Sequence, residues 1–261
     1  MNLPAPSPEA SAHSLTLVAA IAREIGAGGG WISFARFMEM ALYQPGLGYY
    51  SAGARKFGAA GDFVTAPEMT AYFGRALARQ VAQVMTVSAP HVLEVGAGSG
   101  RLAADLLLEL ERLDALPERY EILDLSADLR ERQQATLAAA APHLLARVRW
   151  LDRLPEAFSG AVVANELLDA MPAHVVAWRE DGIFERGVGL DDSGGFTWNE
   201  QPASGALLAA AEEIGRQCCL PPGYESEISL AARAWAGEWG HRLLRGALLL
   251  IDYGFPRREF Y

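Results

Sequence analysis

The amino-acid sequence predicts an α/β fold: a mixed, mostly parallel sheet with helices on both faces, preceded by a helical and loop extension and interrupted by an inserted region. Two observations carry this expectation. From residue 91 onward, short apolar runs alternate with amphipathic helical stretches, which is the pattern of βαβ units. The first of these runs, His91-Val-Leu-Glu-Val95, opens directly into the glycine-rich turn Gly96-Ala-Gly-Ser-Gly100, a junction that lets a strand pass tightly into a helix.

Taken in order, the core is expected to contain strands at 92–95, 120–125, near 148–151 and at 161–164, with helices at 102–113 and 127–139 between them. Pro117 and Pro142 fall in the gaps. Residues 175–198 read as paired strands with turns at Asp181-Gly182 and Ser193-Gly194-Gly195, residues 228–244 as a helix, and 247–253 as a last strand. Ahead of the core, residues 1–12 read as a loose Pro-, Ser- and Ala-rich tail, and 14–25 as a helix stopped by Gly26. A helix over 32–42 is expected to use Ser33 as its N-cap, and another is expected over 71–84. The glycine-rich stretch 46–61 is too long for a simple connector and reads as a lid or binding loop. The expected domains are therefore 1–30 (tail and helix), 31–90 (helical and lid segment) and 91–261 (core, with an insertion at about 175–245).

Composition narrows the function. A chain of 261 residues, 51% of them hydrophobic, can bury a sizeable core. Its net charge of −10 supplies no basic field to hold a phosphate backbone, so nucleic acid is not an expected partner. The adjacent cysteines Cys218 and Cys219 offer neither a disulfide framework nor spaced zinc ligands; no metal is expected, and a reducing compartment is. No signal-peptide pattern opens the sequence and no apolar run is long enough to span a bilayer, so no membrane span is expected and the expected location is cytoplasmic.

The glycine turn carries the first functional reading. Dinucleotide folds space their glycines G-x-G-x-x-G, whereas Gly96, Gly98 and Gly100 follow G-x-G-x-G, as in methyltransferases, and Arg101 stands where the last dinucleotide glycine would be. Glu94 ahead of the turn suits S-adenosylmethionine, which carries an ammonium and a sulfonium and no pyrophosphate. Asp124, at the end of the second expected strand, is placed to accept the ribose hydroxyls of an adenosine. Asp152, after the third strand, stands where such folds often touch the adenine amino group, although a capping role is equally open. The cofactor set is thus Glu94, Gly96, Ala97, Gly98, Gly100, Asp124 and Asp152, joined by Asn165.

The fourth strand runs into Asn165-Glu-Leu-Leu-Asp-Ala-Met-Pro172, which puts an amide and two carboxylates at the carboxyl end of the sheet, where ligands of open α/β folds bind. Methyl transfer is an in-line displacement, so alignment of the nucleophile is the main task. Carboxylates can hold an amine or guanidinium by charge-assisted hydrogen bonds. Glu166 and Asp169 are the catalytic candidates, with Asn165 as an orienting acceptor. His174 could receive a proton, or serve as a structural or surface residue.

Five strings together resemble the MidA family: Gly48-Tyr-Tyr-Ser51; Gly61-Asp-Phe-Val-Thr-Ala-Pro-Glu68 with Phe73-Gly74; the turn from Glu94 to Gly100; Ser126-Ala-Asp-Leu-Arg130 with Gln133; and Asn165 to Pro172. The resemblance runs in order from about residue 32 to 254. It implies a class I methyltransferase, Rossmann-like fold with insertions, S-adenosylmethionine as cofactor, and an arginine side chain of a protein as acceptor, as in the mitochondrial member that assists complex I assembly. A respiratory-complex subunit is the implied partner. It also implies that Gly61, Asp62 and Thr65 belong to a loop that closes over the cofactor, whereas Thr65-x-x-Glu68 read alone is a capping box. Two departures accompany the likeness. The ribose acid is Asp124 where the family usually has Glu, and members usually continue well past residue 254, so the core is expected to be truncated at its C-terminus. Two other readings stay open: a non-catalytic assembly protein that keeps the cofactor fold, and a methyltransferase of a small molecule. Oligomeric state is open, a homodimer being one option.

Overall fold

A computed structural model describes residues 6–51, 65–124 and 126–260. The chain begins with α1 (Pro8–Ala27), β1 (Trp31–Ser33), α2 (Phe34–Tyr43), α3 (Ala66–Met69) and α4 (Ala71–Val87). It continues with β2 (His91–Val95), α5 (Arg101–Arg112), β3 (Arg119–Leu123), α6 (Ala127–Ala140), a 3-10 helix over Pro142–Arg147, β4 (Val148–Leu151) and β5 (Phe158–Asn165). The remaining elements are β6 (His174–Arg179), β7 (Gly182–Leu190), β8 (Phe196–Pro202), α7 (Gly205–Cys218), β9 (Glu225–Ile228), α8 (Leu230–Arg242), β10 (Leu243–Ile251) and α9 (Arg257–Phe260). Contacts divide these into two compact units: residues 1–52, 170–234 and 254–261 in one, and residues 53–169 and 235–253 in the other. The inserted strands thus group with the N-terminal segment, a grouping that a linear division of the sequence does not contain.

The second unit holds a five-stranded sheet in the order β10-β5-β2-β3-β4, with every neighbouring pair parallel. Because side chains alternate across a strand, Val92, Tyr120, Ile122, Ala161 and Val163 enter one core cluster, with Ala78 and Val81 of α4 and Leu106, Leu107 and Leu110 of α5. Leu93, Val95, Leu123, Val162 and Ala164 enter the cluster on the opposite face, with Trp239 of α8. A sheet covered on both faces needs nearly continuous apolar strands, which the sequence supplies. The chain moves from β2 to β3 and β4 on one side, then returns to place β5 and β10 on the other. The order therefore reverses between β2 and β5, and the carboxyl ends of these two strands flank the crevice where open α/β sheets bind ligands.

The first unit is built on an antiparallel sheet in the order β1-β7-β6-β9, with β8 paired to the other edge of β7. Ile21, Ile25, Ile32, Met40 and Val188 form one core cluster here, and Val176, Trp178, Leu207, Ala211 and Ile228 another. Turns lie between β6 and β7 and between β7 and β8, at the two positions where glycine pairs were read as turns.

Several local expectations change. The N-terminal tail is helical from Pro8, because the Ser7 hydroxyl accepts the Ala10 N–H and proline suits a first helical turn. Ile32 and Ser33, read as the start of a helix, belong to the strand Trp31–Ser33 paired with residues 187–189, and Ser33 then caps α2 as expected. The 228–244 helix is shorter: Ile228 closes β9 with its side chain in the core, and the Ser229 hydroxyl accepts the Ala232 N–H to start α8. Helix α7 carries no expectation from the sequence. The last strand spans 243–251 rather than 247–253, because Asp252 leaves it to bind loop amides.

Glycine is obligatory where β10 meets β5. Gly246 has φ +139°, and a Cβ on it would stand 1.9 Å from the Gly160 carbonyl oxygen. Gly246→Ala is expected to destabilise the protein by about 2–5 kcal/mol, combining backbone strain and overpacking, without touching the crevice. Thermal melting tests this, and a melting temperature equal to the wild-type value contradicts it.

Candidate active site

The turn after β2 is held by three left-handed glycines, Gly96, Gly98 and Gly100, at φ +72°, +52° and +81°. Side-chain-bearing residues pay a steric cost at such angles, so the strand-to-helix reversal selects glycine. Gly100 has a second reason: a Cβ there would lie 2.8 Å from the Cα of Gln133 in α6. Gly100 is also the N-cap of α5 and provides no side-chain cap, which leaves the first amides of that helix to be satisfied from outside it. Ala97 is buried beneath the turn.

Gln133 is the junction of this side of the site. Its fully buried amide nitrogen donates to the Gly98 carbonyl at 3.1 Å and to Asp124 Oδ2 at 2.9 Å, while its oxygen accepts the Trp150 indole N–H at 2.9 Å. Asp124 directly follows β3, its other oxygen accepting the Ser126 N–H at 3.1 Å. The carboxylate is thus oriented from two directions, and carboxylate oxygens can each accept more than one donor. Arg130 ties the same strand ends together, donating to the Asp124 and Leu151 carbonyls and pairing with Asp152 at 2.7 Å. The Asp152 side chain is 90% exposed, so this pair contributes little to stability.

Glu94 lies on the same face of the sheet as Asp124, fully buried, and accepts the Tyr120 hydroxyl at 2.5 Å. Burial pushes its carboxyl up to about 7, with the Asp124 charge adding to the rise and the Tyr120 bond opposing it. A buried carboxyl of this kind suits a cationic ligand group better than an anionic one.

Facing these residues across the crevice, β5 delivers Asn165, whose Oδ1 is buried without a hydrogen-bond partner among the described residues. An orphaned buried acceptor costs about 1–3 kcal/mol, which marks it as an atom awaiting a donor. Glu166 follows at φ +49°, a left-handed angle uncommon for a non-glycine residue, with its N–H donating to the Ile251 carbonyl at 2.8 Å. Asp252 Oδ2 accepts the amides of Leu168 and Asp169 at 2.8 and 3.2 Å, and the charges of Glu166, Asp169 and Asp252 hold the Tyr253 phenol above its ordinary range.

The sequence candidates divide accordingly. Glu94, the glycine turn, Asp124, Asn165, Glu166 and Asp169 stand in one unit at the carboxyl ends of the strands. Asp152 is there too, but turned to Arg130 and solvent. His174 belongs to the other unit, where its Nδ1 lies 2.6 Å from Glu185. Gly61 and Asp62, with most of the expected lid, lie outside the described residues. Thr65 caps α3 without a side-chain bond, so no capping box forms; Glu68 instead accepts the Ser99 hydroxyl of the glycine turn. Asp252 and Tyr253 had no signal in the sequence, since they read as the end of a strand. Gln133 stood in the family motif without a role. No group of three or more His, Cys, Asp or Glu among the described residues is placed to hold a metal ion.

A glycine turn at a helix start, a carboxylate just past the neighbouring strand and a second loop across the reversal point form a crevice of the kind in which open α/β folds hold nucleoside cofactors. Residues 75–261 match the family described as "Putative S-adenosyl-L-methionine-dependent methyltransferase", and the chain belongs to that family, the MidA-like methyltransferases. A protein from Burkholderia thailandensis, crystallised with S-adenosyl-homocysteine, is 48% identical with a TM-score of 0.90, over 100% of this chain and 68% of that one. The Caenorhabditis elegans protein arginine methyltransferase NDUFAF7 homolog is 26% identical over 69% of this chain and 54% of its own length. The Drosophila melanogaster homolog is 29% identical over 97% and 64%. The chain therefore spans between 41% and 64% of the length of the curated relatives it matches. No described helix is long and apolar enough to cross a membrane.

Glu94 makes a pH prediction. Its folded value of about 7 lies above the ordinary 4.5, so its contribution is fully present below pH 4.5 and is lost as pH rises through 7. The loss amounts to about 3 kcal/mol at most. Glu94→Gln should therefore gain stability relative to wild type between pH 5 and pH 8 in scanning calorimetry. A difference that stays constant across that range contradicts the assignment.

Proposed function

We propose that this protein binds S-adenosylmethionine at the glycine turn and transfers its methyl group to an arginine side chain of a protein partner, with a respiratory-complex subunit as the candidate class. The observation that supports this reading best is the 165–169 segment. It presents an unpartnered buried amide oxygen and two carboxylates at the reversal point of the sheet, opposite Asp124 and the glycine turn. The arginine methyltransferase names of the curated relatives support the choice of acceptor.

The residues fit the cofactor. Asp124, oriented by Gln133 and the Ser126 amide, would hold the ribose hydroxyls, the amides at the start of α5 and the glycine turn would receive the amino-acid part, and Glu94 and Asn165 suit a cationic group. The bound cofactor supplies a methyl carbon on a positively charged sulfur. Glu166 and Asp169 would accept N–H hydrogens of the guanidinium and hold one nitrogen in line with that carbon. The same carboxylates can take up the proton that this nitrogen sheds once the N–C bond has formed and the C–S electron pair has returned to sulfur.

Incubation with S-adenosylmethionine and a short peptide carrying one arginine between glycines should add one or two methyl masses by intact-mass analysis. Glu166→Gln should lower the rate at least about 100-fold while leaving affinity for S-adenosylhomocysteine within about threefold. Full transfer by Glu166→Gln would remove the role given to that residue. Cofactor binding with no transfer to any protein or peptide would favour an assembly protein that retains the fold.

A further inference from the structure

We infer that Asp252, the residue that follows β10, is a positioning residue for the transfer reaction, because its carboxylate fixes the backbone of the 165–169 loop. This rests on the proposed methyltransferase reading.

Strand β10 runs parallel to β5 with Ile251 opposite Asn165, so the two strands release their next residues side by side. Three main-chain bonds then join them: Glu166 N–H to the Ile251 carbonyl, and Leu168 N–H and Asp169 N–H to Asp252 Oδ2. Asp252 Oδ1 accepts the Tyr253 N–H at 2.8 Å, so both of its oxygens are engaged locally. A left-handed Glu166 costs free energy and persists only where its surroundings fix it. The Asp252 carboxylate, holding two successive amides just after Glu166, provides that fixing.

The test compares Asp252→Asn and Asp252→Ala with wild type, using the single-arginine peptide for transfer and S-adenosylhomocysteine for calorimetric binding. Asp252→Asn, which keeps an oxygen for the two amides, should retain kcat within about tenfold, whereas Asp252→Ala should lose at least about 100-fold, with cofactor affinity within about threefold in both. Equal losses in the two variants overturn the inference. If wild type binds the cofactor but methylates no arginine peptide, the arginine reading fails, and amide hydrogen exchange decides the positioning contact. Asp252→Ala should then speed exchange at the Leu168 and Asp169 amides at least about tenfold; unchanged rates overturn the inference.

Discussion

The close approach of Gly100 to Gln133 is the constraint on which the cofactor side of this protein depends. With no Cβ at Gly100, α6 can bring the buried Gln133 amide to the glycine turn, and that one amide then reaches the Gly98 carbonyl and the Asp124 carboxylate together. Its oxygen is satisfied by Trp150 from the neighbouring strand, so the whole buried group is paired. Such a network fixes the Asp124 carboxylate before any ligand arrives, and partial loss would leave polar atoms buried without partners.

The 165–169 side is built on a different principle. Where the first side is rigid through packing, the 165–169 segment is held by hydrogen bonds into a backbone shape it would not choose unaided. A non-glycine residue in left-handed geometry at the end of β5 turns Glu166 away from the course of the strand, and Asp252 stabilises that turn through two amides. The buried oxygen of Asn165, without a partner among the described residues, lies at the base of this turn. Both sides meet at the reversal of strand order between β2 and β5, which brings distant stretches of sequence to one end of the sheet.

Much of this was legible in the sequence because its physical causes are local. The alternation of apolar runs and helices marks the parallel strands, and the glycine spacing marks the turn. Strings such as Asn165-Glu-x-x-Asp169 keep chemistry-bearing residues within a single loop. What stayed hidden depends on pairing at long range. Ile32 and Ser33 look helical until β7 offers them an edge, and Gly187 shows the reason, since a Cβ there would stand 2.2 Å from the Ile32 carbonyl. Helix α7 was missed. Asp252 and Tyr253 look like the continuation of a strand, and only its parallel register with β5 brings them to the loop. His174 illustrates the converse: close in sequence to Asp169, it begins a strand of the other unit and pairs with Glu185 there.

The central claim is that the glycine turn and Asp124 together form one adenosyl-cofactor site. Calorimetric titration of S-adenosylhomocysteine into wild type and Asp124→Ala tests it most directly. The account predicts saturable binding at one site per chain in wild type, weakened about 10- to 100-fold in Asp124→Ala through loss of charge-assisted hydrogen bonds to the ribose. Absence of saturable heat in wild type, or equal affinity in the two proteins, would contradict it.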